Sequence, residues 1–314
     1  MLTISDDNGK TWSSPTIAID NPNYDDTGLS IVELPDRSLL ASYGSRLSDS
    51  RHSQAWVSSS LDGGQTWSAS IKISVHQNTL VRGAPVPLSN GDILVPIFGS
   101  THSRLGDVSM TAISSDGGKT WAEGYVPNTT SGKLNEWVAL EVEPGRLIGL
   151  HRDEHKHTLG FFWQTESQDW GRTWTKPVQT NVRSTVSASP PHLGIHGTKV
   201  VLTYSDARMH SVSMVTAADQ SYSRWDTENR VACYQYRSDG KRIADASYPC
   251  SLPTGPHQRL VVDYEIESSS ESDWLAALPI NHRPLAAARD YSIDKERKQI
   301  TGHFVDTPME WGTA

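Results

Sequence analysis

Cysteine is nearly absent: Cys233 and Cys250 are the only two in 314 residues. A disulfide framework is excluded; one bridge is open to them, and two free thiols are the expected state. Phenylalanine is scarce as well, four against eleven tryptophans, which suggests Trp at repeated positions. No apolar run approaches the roughly 18–20 residues that span a bilayer. The start, Met1-Leu2-Thr3-Ile4-Ser5-Asp6-Asp7, has neither the basic flank nor the apolar stretch of a signal peptide. A cytoplasmic protein, or an exported one whose leader is missing, is expected, without membrane insertion. Runs of Lys and Arg are missing and the formal net charge is -8, which argues against nucleic acid as the main partner. With 36% hydrophobic and 20% charged residues, the composition is that of a folded chain able to bury a large core.

What is present is a repeat. Ser5-Asp6-Asp7-Asn8-Gly9-Lys10-Thr11-Trp12 returns as Ser60 to Trp67, as Ser114 to Trp121 and as Ser167 to Trp174, each reading S-x-D-x-G-x-T-W. The tryptophans are spaced by 55, 54 and 53 residues. The pattern suits a turn between two strands. An Asp carboxylate can accept nearby backbone N–H groups, Gly permits a left-handed backbone, and Trp folds back as an apolar plug. Asp7, Asp62, Asp116 and Asp169 are therefore read as structural.

A second pattern, strand, turn, strand, accompanies the boxes: Ile31–Leu34 with Leu39–Tyr43, Val86–Leu88 with Ile93–Ile97, and Val138–Leu140 with Leu147–Leu150. Two further hairpins, Pro191–Leu193 with Val200–Tyr204 and Cys250–Leu252 with Leu260–Tyr264, have no recognisable box. Short strands and regular turns predict an all-β repeat protein. The expected fold is a single-domain, six-bladed β-propeller with blades beginning near residues 27, 82, 135, 188 and 245. The sixth blade would be closed by residues 1–26 together with about 281–314.

The box is the Asp box of the sialidase (neuraminidase) superfamily, where it lies on the outer blade edges, away from the active site. The resemblance extends along the chain. Asn135-Glu136-Trp137-Val138, Gly145-Arg146-Leu147 and His151-Arg152 resemble the family segment that supplies a buried Glu and a carboxylate-binding Arg. Val201 to Arg208 is similar to the blade with another such Arg. Ser247-Tyr248-Pro249-Cys250-Ser251-Leu252 resembles the segment that holds the nucleophilic Tyr, and Leu260–Glu265 the strand after it. Gly83–Val86 and Gly91–Pro96 fall where the family has a Gly-rich strand and G-R-L-V-V-P.

The resemblance implies a retaining glycosidase acting on terminal sialic acid or a related acidic sugar, with a glycan partner and neither cofactor nor metal. Sialic acid carries a carboxylate on its anomeric carbon, so a neutral Tyr nucleophile avoids the repulsion an Asp or Glu would meet. It implies Tyr248 as nucleophile, Glu136 as its base, and Arg152 and Arg208 as bidentate clamps. The family's F-R-I-P arginine and acid Asp, both ahead of the first box, have no counterpart here. Asp49, in the loop Arg46–Arg51, and Asp245 are the candidates for the acid; Arg82 and Arg46 are the candidates for the arginine. His151 would suit a lyase or another glycosidase on the same scaffold, and a non-catalytic glycan-binding propeller is the third reading. His155 and His157 share a strand face without a further metal ligand, and Asn128-Thr129-Thr130 matches a glycosylation acceptor.

Overall fold

The computed structural model describes residues 1–47, 52–101, 104–127, 134–153, 160–183, 189–207, 211–235, 242–268 and 297–311. Contacts divide the chain into two compact units, Met1–Asn181 with Ser221–Ser223, and Val182–Gln220 with Arg224–Ala314. No helix among the described residues is long and apolar enough to cross a membrane.

The first unit carries three antiparallel sheets. One runs β1 (Tyr24–Glu33), β2 (Leu39–Leu47), β3 (Ser53–Ser60), β4 (Ile71–Lys72). In the next, β5 (Thr79–Val81) and β6 (Val86–Pro87) both pair with β7 (Ile93–Thr101), followed by β8 (Arg104–Ser114) and β9 (Ala122–Tyr125). The third runs β10 (Leu134–Glu143), β11 (Arg146–Asp153), β12 (Phe161–Ser167), β13 (Val178–Arg183). The second unit has β14 (His192–His196), β15 (Lys199–Ala207), β16 (Ser211–Thr216) and β17 (Val231–Gln235) in order. Its other sheet is centred on β20 (Gln258–Ser268), flanked by β18 (Arg242–Ala246), β19 (Cys250–Gly255) and β21 (Arg297–Asp306).

These are five blades of an all-β propeller, not the six expected from the sequence. The correction lies at the two ends. Of the C-terminal stretch expected to close a sixth blade, the described strand Arg297–Asp306 instead pairs with β20 over ten residues, from Gln258↔Asp306 to Glu267↔Arg297. β21 adds to β20, which also pairs with β18 and β19. Residues 1–16 contribute a box turn and one isolated bridge, Leu2↔Thr16.

The four boxes share one geometry. In the second, the Ser60 hydroxyl donates to Asp62 at 2.8 Å, and Thr66 gives its N–H at 2.9 Å and its hydroxyl at 2.6 Å to the same carboxylate. Trp67 Nε1 donates to the Gly64 carbonyl at 3.1 Å. The Thr66 hydroxyl and N–H hold the Asp62 carboxyl down at about 2, as expected for a carboxylate bound in its charged form. This confines each Asp to its turn. In the fourth sheet, where the sequence shows no box, the turn after β16 has Tyr222 at a left-handed φ of 54°, and Trp225, 2% exposed, bridges to Ala217.

Apolar residues that alternate along β2, β3, β5, β7 and β8 pack the first two sheets together around Leu40, Val57, Val81, Val95 and Met110. Between the second and third sheets lies Trp137, fully buried, with its N–H on the Ile97 carbonyl at 2.9 Å. It stacks on His151 at 4.8 Å and meets the edge of Trp174 at 5.3 Å. In the second unit the guanidinium of Arg259, 1% exposed, donates to the carbonyls of Ile195 at 2.9 Å and Ser251 at 3.0 Å, tying the two sheets there by neutral partners. Cys233 and Cys250 are free thiols.

Trp137→Ala removes the largest buried side chain of the first unit and leaves the Ile97 carbonyl without its donor. We expect a loss of about 3–5 kcal/mol, measured as a lower urea midpoint at unchanged slope.

Candidate active site

The first strand of four sheets is broken or bulged, and Arg82, Glu136 and Tyr248 lie at those irregularities. In β1 two residues, Gly28 and Leu29, stand opposite one between the pairs Thr27↔Gly44 and Ser30↔Ser42. In β10, Asn135 and Glu136 do the same between Leu134↔Asp153 and Trp137↔His151. Arg82 to Pro85 separate β5 from β6, and Ser247 to Pro249 separate β18 from β19. A bulge re-aims a side chain that a regular pleat would turn into the sheet packing.

At three of these points the side chains meet. Glu136, 5% exposed, accepts Arg82 Nε at 2.9 Å and Arg152 Nη1 in a short ion pair. Arg82 reaches back to the first sheet, where Nη1 donates to Thr27 Oγ1 at 3.5 Å. Burial alone would push the Glu136 carboxyl up, but Arg152 and then Arg82 outweigh it and hold it at about 2. The cluster thus presents two guanidinium groups on a carboxylate that is ionised at neutral pH. Thr27 and Gly28 were not anticipated from the sequence, although a Gly inside a strand pattern signals a bulge or a close approach.

His151 departs from expectation. Its ring is fully buried, Nδ1 lies 3.0 Å from Ser109 Oγ and Nε2 3.0 Å from Thr165 Oγ1. Burial lowers its pKa to about 3, so it stays neutral. With both nitrogens engaged and Trp137 on its face, the ring offers no edge to a sugar. Arg46 is exposed on β2 and stands opposite Asp25. Asp26 accepts the Asn21 N–H at 2.8 Å and Asn21 Nδ2 at 3.0 Å, with Ser45 also donating. Asp26 is thereby an acceptor for the Asn21 turn and for Ser45.

In the second unit Tyr248 is half-buried, its N–H on Asp263 Oδ1 at 2.8 Å and its ring 5.7 Å from that of Tyr264. Ser247, fully buried, has a φ of 87°. Backbone strain in a non-Gly residue next to a candidate nucleophile is of the kind found at functional sites. Asp245 belongs to β18. Asp49, Arg208, His155, His157 and Asn128 lie outside the described residues.

Glu136→Gln leaves two guanidinium groups buried without their shared carboxylate, and we expect a loss of about 3 kcal/mol or more at neutral pH. Because folding lowers the Glu136 pKa, the ionised cluster stabilises the native state fully above about pH 4.5, and this contribution is lost as pH falls toward about 2. Urea midpoints measured across that range should fall more steeply for the wild type than for Glu136→Gln.

The sequence profile of the BNR repeat-like domain matches residues 39–205, and that of the BNR/Asp-box repeat matches residues 3–14. No curated protein matches the sequence. Among solved structures, a protein of unknown function from Dyadobacter fermentans is similar over 98% of this chain and 83% of its own, at 18% identity and a TM-score of 0.71. The NanB sialidase of Streptococcus pneumoniae covers 98% of this chain at 12% identity and a TM-score of 0.67. The Hadza microbial sialidase Hz136 covers 83% at 18% identity and a TM-score of 0.65. The chain spans 63% and 56% of the length of these two sialidases. At such identities the likeness is one of fold. The profile, however, covers more than half of the sequence, and with its Asp-box turns and five-bladed sheet pattern the chain belongs to the BNR repeat-like domain family, within the sialidase/BNR propeller superfamily.

Proposed function

We propose that this chain is a sialidase-like glycosidase that cleaves a terminal sialic acid or a related acidic sugar with retention. The observation that carries the reading is the buried Glu136 between Arg82 and Arg152 at the bulge of β10. Two guanidinium groups fixed by protein contacts suit a carboxylate ligand, which they can grip through charge-assisted, bidentate bonds without reordering.

In this reading Tyr248 attacks the anomeric carbon. An unperturbed phenol has a pKa of about 10 and needs a base; Glu136 is assigned that part. While both arginines bind it, Glu136 is a weak base. A substrate carboxylate that draws N–H donors from Arg152 makes Glu136 more basic when the phenol must lose its proton. Arg208 completes the clamp, Arg82 takes the part of the family's first arginine, and Asp49 or Asp245 protonates the leaving oxygen. The packed position of His151 removes the ground for assigning it a lyase role.

The test is turnover of 4-methylumbelliferyl α-sialoside and of a sialyl-alkyl glycoside. Tyr248→Phe and Glu136→Gln should each lose about a hundredfold or more on both substrates. Because 4-methylumbelliferone leaves without help, the variant of the true acid, Asp49→Asn or Asp245→Asn, should fail mainly on the alkyl glycoside. A well-folded wild type without turnover of either substrate rules out the hydrolase and favours simple glycan binding.

A further inference from the structure

We propose that Gly28 is a positioning residue for Arg82: the bulge of β1 leaves the slot through which the Arg82 guanidinium passes from Thr27 to Glu136. This rests on the reading above, in which Arg82 contacts the carboxylate of the substrate. Gly28 has a φ of 68°, in the region that L side chains avoid. A methyl group there would overlap Arg82 Nη1 and stand 2.9 Å from the Val81 carbonyl oxygen. The side chain of Arg82 is 16% exposed and bonds to Thr27 Oγ1 at 3.5 Å and to Glu136 Oε1 at 2.9 Å. Its backbone is held from the other side: a Cβ on Gly83 would lie 2.8 Å from the Trp137 carbonyl oxygen and 2.9 Å from Pro96 Cγ. Arg82 thus runs between two close approaches, with one sheet on each side. A long, flexible side chain is fixed in one direction, and less rotamer freedom is then lost when an anion binds.

A bulge can require glycine for its backbone alone, so the test must separate the bulge from the guanidinium. A double-mutant cycle on the intact chain, read by urea unfolding, does this. Gly28→Ala should lower the midpoint in the wild type, and by about half as much or less in the Arg82→Ala background, because only the φ strain and the Val81 contact remain. In the sialoside assay Gly28→Ala should raise KM about tenfold with kcat within about threefold, since a displaced clamp weakens ground state and transition state alike. Instability of the bulge by itself would leave the KM of the folded fraction unmoved. Equal stability losses in both backgrounds, or an unchanged KM in an active enzyme, overturn the proposal. If Gly28→Ala fails to fold and Gly28→Ala/Arg82→Ala folds, the proposal holds; if neither folds, it falls. Stability coupling in a wild type that turns over no sialoside would retain the Gly28–Arg82 link and discard the sialidase reading.

Discussion

A carboxylate buried at the start of a strand must be neutralised or protonated, and Glu136 meets that demand through arginines from two sheets. This single constraint fixes much of the first unit. Arg152 follows Glu136 across the β10–β11 pairing, whereas Arg82 has to arrive from the second sheet, which sets how closely that sheet approaches. Thr27, Gly28 and Gly83 are the local adjustments that make the approach possible. A buried ion cluster contributes little net stability compared with an apolar core, yet removing one member is costly because the others are left unpaired. Its retention is better understood as geometric: it holds cationic groups where a flexible surface arginine would not stay.

The repeat was legible because every bond of the box is made within a few residues. Ser60, Asp62, Gly64, Thr66 and Trp67 complete one another, so the sequence alone specifies the turn. The turn of the fourth sheet does not match the box pattern: Trp225 falls one residue further from Asp219 than a box tryptophan does from its Asp, and a left-handed Tyr222 stands three residues before the Trp, where a box has glycine. Blade number was misjudged for the opposite reason. The pairing of β21 with β20 joins strands separated by 28 residues and depends on which edge is open, a property no local motif encodes.

Site residues divided along the same line. Glu136 and Arg152, named from motif and spacing, meet in one buried ion pair. Strand alternation places neighbours on opposite faces, so with Arg152 on Glu136, His151 turns into the packing beside Trp137. Gly28 could not be valued from sequence, because its importance lies in the residue that passes over it, 54 positions away.

The irregular first strands have a consequence for how the chain behaves in company. A first strand has one side without a partner in its own sheet, and a long, regular, unpaired edge is a template on which another chain can add a strand. The bulges at Gly28 and Glu136, and the breaks at Arg82–Pro85 and Ser247–Pro249, interrupt the row of backbone donors and acceptors every few residues. Pro85 and Pro249 each remove one N–H as well. The distortions that aim side chains toward a ligand therefore also make these edges poor nuclei for intermolecular β-sheet, so that solubility and the site draw on the same departures from regular structure.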